Sequence, residues 1–278
     1  MAPSMTKRYL WTTLRARLEF VRSTPGRNYN WLFLPGGPGL GSESLSSLTK
    51  ILQVPGTLWH IDLPGDGSNQ TADNVESFRH WSAALVELCG ALDSVILVAH
   101  STGGMYALAT PALEKILTGL VLMDSAPDAS WQEEFMRYTI EHPLTEMLEL
   151  QRNYAKNPSN ALLKAMTLAS APYLFRQMGP SKDLSFLEDL PYNHQVCDWS
   201  AQNFDQTYRA QWSPKTMQTL VFAGEDDPIT PLKLFTQSKD FQRDNCVLKS
   251  IAGAGHFPWL ENPKQVIAVF EDYWKNMP

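Results

Sequence analysis

The sequence predicts an α/β fold, a mostly parallel central sheet flanked by helices, with a helical segment inserted into it. Three observations carry that reading. Short apolar runs alternate with longer stretches whose apolar residues recur every three or four positions. Several of those runs end in loops rich in Gly, Asp or Ser. From about Ala126 to Pro214 the alternation stops and a helical, aromatic stretch takes over.

Leu18–Val21 and Trp31–Leu34 read as early strands, parted by the turn-forming Ser23-Thr24-Pro25-Gly26. Leu58–Asp62 is the next strand, followed by the loop Leu63-Pro64-Gly65-Asp66-Gly67. Val75, Phe78, Trp81, Leu85 and Leu88 give Asn74–Leu92 a helical period. Val95–Ala99 and Gly119–Met123 are continuous apolar runs, as expected of strands buried on both faces. In the 126–214 stretch, Trp131, Phe135, Tyr138 and later Leu162, Leu163, Met166 fall at helical spacings, and Pro143, Pro158, Pro172 and Pro191 divide it into short helices. We expect residues 1–125 and 215–278 to form the core and 126–214 an inserted helical lid, not a second independent domain. Thr219–Ala223 and Cys246–Ile251 read as strands, with helices at Leu232–Phe241 and Pro263–Met277.

The 278 residues are 44% hydrophobic and 19% charged, an ordinary composition for a soluble globular chain. A net charge of −6 argues against nucleic acid or an anionic membrane as partner and leaves a small-molecule substrate. Oligomeric state is not legible. Cys89, Cys197 and Cys246 lie far apart, with no Cys/His pair at metal spacing, so free thiols in a reducing compartment and no bound metal are expected. Met1 to Leu18 has basic residues but no continuous apolar core of a secretory signal, and no run approaches the roughly 20 apolar residues of a membrane span. The expected location is the cytoplasm.

The chemistry is concentrated in Val98-Ala99-His100-Ser101-Thr102-Gly103-Gly104. Ala99 and Gly103 flank Ser101 at the spacing of a nucleophile elbow, where a strand turns sharply into a helix and only small neighbours fit. A serine nucleophile needs a base and an acid that orients it. Of the six histidines, His60 lies in a strand, His80 and His142 in helical segments, His194 in the expected lid, and His100 in the variable elbow position, pointing away from substrate. His256 stands apart, in the Gly-rich loop Gly253-Ala254-Gly255-His256-Phe257-Pro258 after the last strand. Three adjacent acids, Glu225-Asp226-Asp227, follow the preceding strand and leave Asp227 and Asp226 both open as the acid; Asp124 is a third position, read as supporting the loop beneath the elbow.

An oxyanion needs two backbone N–H donors. Thr102 at the helix start supplies one, and Gly37 in Pro35-Gly36-Gly37-Pro38-Gly39 the other. That loop with Asp62 imitates a dinucleotide-binding unit, but the third glycine of the motif falls on Ser42. A phosphate loop fails too, because Gly41 is followed by Ser42-Glu43 and no lysine. No cofactor is expected.

With these residues in the order Ser101, Asp227, His256, the chain resembles the α/β-hydrolase superfamily over essentially its whole length. The matching motifs are Gly36-Gly37-Pro38-Gly39, Asp62-Leu63-Pro64-Gly65-x-Gly67-Ser68, the Ser101 elbow, Gly224–Pro231 and Gly255-His256. The resemblance implies the α/β-hydrolase fold and favours Asp227, since the family's acid directly precedes the turn seen here as Pro228-Ile229-Thr230-Pro231. It also implies a cofactor-independent serine hydrolase cleaving an ester, thioester or amide of a small molecule through an acyl-enzyme on Ser101. The glycine loop is similar to that of the proline iminopeptidases, whose acidic lid residues hold a substrate amine. Pro35 replaces that branch's usual His, however, and Ala-His-Ser-Thr-Gly-Gly is closer to the elbow of esterases, thioesterases and C–C hydrolases. Aminopeptidase activity and a non-catalytic binding role are the alternatives. Trp131, Phe135, Tyr138, Tyr173, Phe175, Trp199 and Phe204 are candidate walls of an apolar pocket, with packing as the plainer role, and Glu133, Glu134, Asp198 and Asp205 are candidate amine holders.

Overall fold

A computed structural model describes residues 8–176 and 184–277. The start of the segment read for a secretory leader and residues 177–183 of the expected lid lie outside the described residues. Eight strands form one sheet: β1 (Tyr9–Trp11), β2 (Arg17–Thr24), β3 (Asn30–Leu34), β4 (Gly56–Asp62), β5 (Val95–His100), β6 (Gly119–Met123), β7 (Gln218–Gly224) and β8 (Cys246–Ile251). Their order across the sheet is β1-β2-β4-β3-β5-β6-β7-β8. β2 pairs antiparallel with β1 and β4, and all other pairs are parallel. This is the α/β-hydrolase fold with a mostly parallel sheet. The strand β1 was not anticipated: three residues at a sheet edge carry too little alternation to read.

The central strands are apolar on both faces because both faces are covered. Trp31, Phe33, Ile96, Val98, Val121 and Met123 point into one core, while their immediate neighbours Leu32, Leu34, Leu97, Ala99, Leu120 and Leu122 point into the other. The first core is closed by α1 (Ser46–Ile51), by Trp259 of α12 (Pro258–Glu261) and by Val266 and Phe270 of the C-terminal helix α13 (Pro263–Lys275). The second is closed by the helices between β4 and β6. Those are α2 (Asn74–Phe78), α3 (Trp81–Cys89) and α4 (Thr102–Leu108). The single helix expected over Asn74–Leu92 is therefore two, interrupted at the exposed Arg79 and His80 so that Phe78 and Trp81 are both buried. Likewise the helix expected at Leu232–Phe241 is a short α11 (Lys233–Thr236) and a 3₁₀ turn, Lys239–Phe241, which together bury Leu234, Phe235 and Phe241.

Between β6 and β7 the described residues form helices only: α5 (Trp131–Glu141), α6 (Thr145–Lys156), α7 (Asn160–Ala169), α8 (Ala171–Leu174), α9 (Ser185–Glu188), α10 (His194–Ser200) and a π-turn, Ala201–Asp205. One isolated bridge, Asp128 to Arg209, ties the two ends of this segment together. Pro143, Pro158 and Pro191 fall between helices, and Pro172 sits in the first turn of α8, where its missing N–H has no partner to lose. Among the described residues no helix is long and apolar enough to cross a membrane.

The carboxyl end of β4 is fastened by a buried ion pair. Arg17 on β2 donates to Asp62 Oδ2 at 2.5 Å, and Asp62 also accepts from Ser42 N and Ser42 Oγ at 2.9 and 3.0 Å. Asp62, the acid of the rejected dinucleotide reading, is thus a structural hub. Arg17→Ala leaves its charge buried without its cation, and we expect a loss of about 3–5 kcal/mol in urea unfolding; an unchanged midpoint would remove the pair from the account of stability.

Candidate active site

Ser101 joins β5 directly to α4, with φ 52° and ψ −126°, a conformation that a non-glycine residue occupies only at a cost of about 1–3 kcal/mol. Neighbouring backbone holds it there. Ser101 N donates to Met123 O at 2.9 Å, and Ser125 Oγ donates to Ser101 O at 2.8 Å. A Cβ at Gly103 would meet the carbonyl oxygens of Leu34 and Pro35, and one at Gly36 would meet Ser101 Cβ and the His100 carbonyl. The elbow and the glycine loop after β3 therefore touch almost backbone to backbone. Gly37 and Thr102 both line the cavity that opens above Ser101.

Ser101, His256 and Asp227 are brought together from the ends of three strands. His256 Nδ1 lies 2.9 Å from Asp227 Oδ2 and Nε2 lies 3.1 Å from Ser101 Oγ. The carboxylate accepts only, so the ring carries its proton on Nδ1 and presents Nε2 as an acceptor to the serine hydroxyl. Asp227 is held in turn by Ile229 N at 2.9 Å and Thr230 Oγ1 at 2.8 Å. Burial pushes the Asp227 carboxyl up, but His256 and these donors bring it below its ordinary value, so it is charged. The histidine loop is anchored by His256 N to Leu174 O at 2.9 Å and by Gly255 N to Glu261 Oε2 at 2.7 Å.

The ambiguity among the three acids resolves by direction. Asp226 turns outward to Arg176 at 3.1 Å, and Glu225 accepts from Gly253 N. Asp124 is fully buried and accepts from Gly224 N at 2.8 Å. His100 departs from expectation. Rather than pointing away, it lines the cavity, sets its ring 4.9 Å from that of His256 at a tilt of 49°, and donates from Nε2 to the His256 carbonyl at 3.0 Å. Burial, then His256, lowers its pKa to about 3, so it is a neutral support. His60 bonds Thr49 Oγ1, His80 and His142 are exposed at helix ends, and His194 is half-buried at the start of α10. Thr230 was not singled out from the sequence, although an Asp before Pro commonly closes a turn with its own side chain, as Asp227 does here on Ile229 N.

The cavity measures about 360 Å³ and is walled mainly by apolar groups. Of the aromatic candidates, Trp131 and Phe135 line it. The others pack elsewhere: Tyr138 on His142 and Tyr173, Phe175 on Phe186 and Phe257, Trp199 on Phe78, and Phe204 on Tyr208. Of the acidic candidates only Asp205 reaches the cavity, accepting from Ser200 Oγ at 3.1 Å; Glu134 is paired with Lys233 and Asp198 accepts from Tyr154. Cys197 also lines it, its thiol pushed up to about 12 by burial. The one grouping of metal-ligand type among the described residues is Asp124, Asp227 and His256, in which Asp227 and His256 are already engaged with each other.

The glycine loop has an acidic support of its own. Asp66 Oδ1 accepts from Gly39 N at 2.6 Å and Gly67 N at 2.7 Å. Burial, and next the charge of Asp62, raise Asp66 to about 7 in spite of these bonds.

The model of the alpha/beta hydrolase family matches residues 31–269. A pimeloyl-[acyl-carrier protein] methyl ester esterase from Xylella fastidiosa is 24% identical over 89% of this chain and 96% of its own. An esterase from Exiguobacterium antarcticum superposes with a TM-score of 0.71 at 16% identity, covering 98% of this chain and 100% of that one. A proline iminopeptidase-related protein from Thermus thermophilus superposes with a TM-score of 0.70 at 15% identity, covering 98% and 99%. At such identities the two superpositions report a shared fold.

The Asp66 shift makes a signed prediction. An acid whose folded-state pKa is raised holds a proton that the unfolded chain has released, so stability falls as pH climbs from about 4 to about 7. Asp66→Asn keeps the acceptor without the charge. Its melting temperature should match wild type near pH 4 and exceed it at pH 8, by up to about 4 kcal/mol of stability; a pH-independent difference would refute the assignment.

Proposed function

Because the chain belongs to the alpha/beta hydrolase family, we propose that it is a serine esterase acting on small, largely apolar esters. The observation that carries this reading is the line of hydrogen bonds from Asp227 through His256 to Ser101, ending under a mainly apolar cavity. At about 360 Å³ the cavity lies within the ordinary range of small-molecule sites. The 24% identity to an esterase of an acyl-chain methyl ester supports an ester as the bond cleaved.

In this mechanism Ser101 Oγ attacks the ester carbonyl while His256 Nε2 takes its proton. Asp227 stabilises the imidazolium that forms. The tetrahedral oxyanion accepts hydrogen bonds from the N–H groups of Gly37 and Thr102. Collapse breaks the C–O bond, and His256 returns the proton to the departing alcohol. Water, deprotonated by His256, then attacks the acyl-enzyme and releases the acid and the free serine. Residues 126–214 act as a lid: α5, α7, α8 and α10 furnish the wall opposite the nucleophile through Trp131, Phe135, Leu163, Leu174 and Cys197.

Asp205 supports a second reading. Among the described residues it is the one lid acid that lines the cavity, the position from which a carboxylate would hold a substrate amine in an aminopeptidase. A single acid in an otherwise apolar lining favours the ester.

A fluorophosphonate should label wild type and leave Ser101→Ala unlabelled. His256→Ala should lower kcat by roughly three to six orders of magnitude. On a series of p-nitrophenyl esters and aminoacyl p-nitroanilides, esters should turn over and anilides should not. Anilide cleavage abolished by Asp205→Asn would establish the aminopeptidase reading, and an unlabelled wild type would leave a binding role.

A further inference from the structure

Asp124 has no part in the mechanism above, yet it is a fully buried carboxyl beside the acid of the triad. One oxygen of Asp124, one of Asp227 and a ring nitrogen of His256 lie within 4.8 Å of one another. Asp124 Oδ1 is occupied by Gly224 N, whereas Oδ2 is buried and accepts no hydrogen bond. Its backbone, at φ +44°, is in the left-handed region, which a short Asp side chain tolerates, and its N–H is tied to Phe222 O at 2.8 Å. Two buried carboxylates at this separation are not both ionised. Asp227 receives His256, Ile229 and Thr230, so the charge belongs to Asp227 and the proton to its neighbour.

We infer that Asp124 is a positioning residue: as a neutral acid, it donates a hydrogen bond from Oδ2 to the Asp227 carboxylate and so fixes the charge that orients His256. The inference rests on the triad reading. Burial, then the Asp227 charge, holds the Asp124 carboxyl well above the usual carboxylate range. The other groups facing the pair are Glu261 on α12, which adds a further negative charge, and the neutral His100 on β5. Donation from Asp124 spreads the Asp227 charge and so tempers the basicity of His256.

The test is the pH profile of fluorophosphonate labelling of Ser101, which needs no knowledge of substrate. Asp124→Asn keeps both the donor and the acceptor, so its labelling rate should stay within about threefold of wild type with the same acid limb. Asp124→Ala removes the donor, and its acid limb should move to higher pH by about half a unit or more. An acid limb moved downward in Asp124→Asn, as loss of a charge would cause, or an unmoved limb in Asp124→Ala, overturns the inference. The wild-type minus Asp124→Asn infrared difference spectrum at about pH 8.5, where Asp66 is ionised, should contain the carbonyl band of a protonated acid. Its absence also overturns the inference, whether or not Asp124→Ala folds. An unlabelled wild type would instead sink the triad reading and leave the infrared result standing.

Discussion

Everything at this site depends on the contact between two stretches of backbone that come closer than side chains allow. The glycine loop leaves β3 and passes over the start of α4 with only hydrogen atoms at Gly36 and Gly103 between the chains. Ser101 lies in that contact at φ 52°, held by its hydrogen bonds to Met123 and Ser125. The contact also brings Gly37, Ser101 and Thr102 to one cavity. The roughly 1–3 kcal/mol stored in such a residue is small beside the burial of the two cores that flank it.

The sheet order does the remaining alignment. β3 and β5 are adjacent, which brings the glycine loop to Ser101, and β6, β7 and β8 follow in sequence so that their carboxyl ends form a row. Asp124 follows β6, Asp227 follows β7 and His256 follows β8. Parallel strands present all of these ends at one edge, where loops are free to carry polar groups that the core would reject. The ring of His100 lies under the row and fastens the histidine loop from below.

Much of this arrangement was legible. The paired apolar runs identified strands because parallel strands buried on both faces need no polar alternation, and Ala99, Gly103 and Gly36 marked where backbone must pass close. What escaped reading was directional. His100, in the variable elbow position, was expected to turn away from substrate, but it lines the cavity and its ring packs on the histidine loop. Asp226 and Asp227 are chemically alike, and only the fold sends one to Arg176 and the other to His256. The aromatic stretch likewise separates into two cavity walls and several packing partners, a division set by helix orientation that period alone does not reveal.

Rigidity is distributed unevenly around the cavity. Every residue of α4, which follows Ser101 directly, is buried, whereas α5, which brings Trp131 and Phe135 to the cavity, buries none of its own completely. Most substitutions at exposed positions alter stability by about half a kcal/mol or less. Exposed positions of α5 can therefore change beside the cavity without unsettling the buried residues around Ser101. A lineage built on this scaffold would diversify in what it accepts far sooner than in how it reacts.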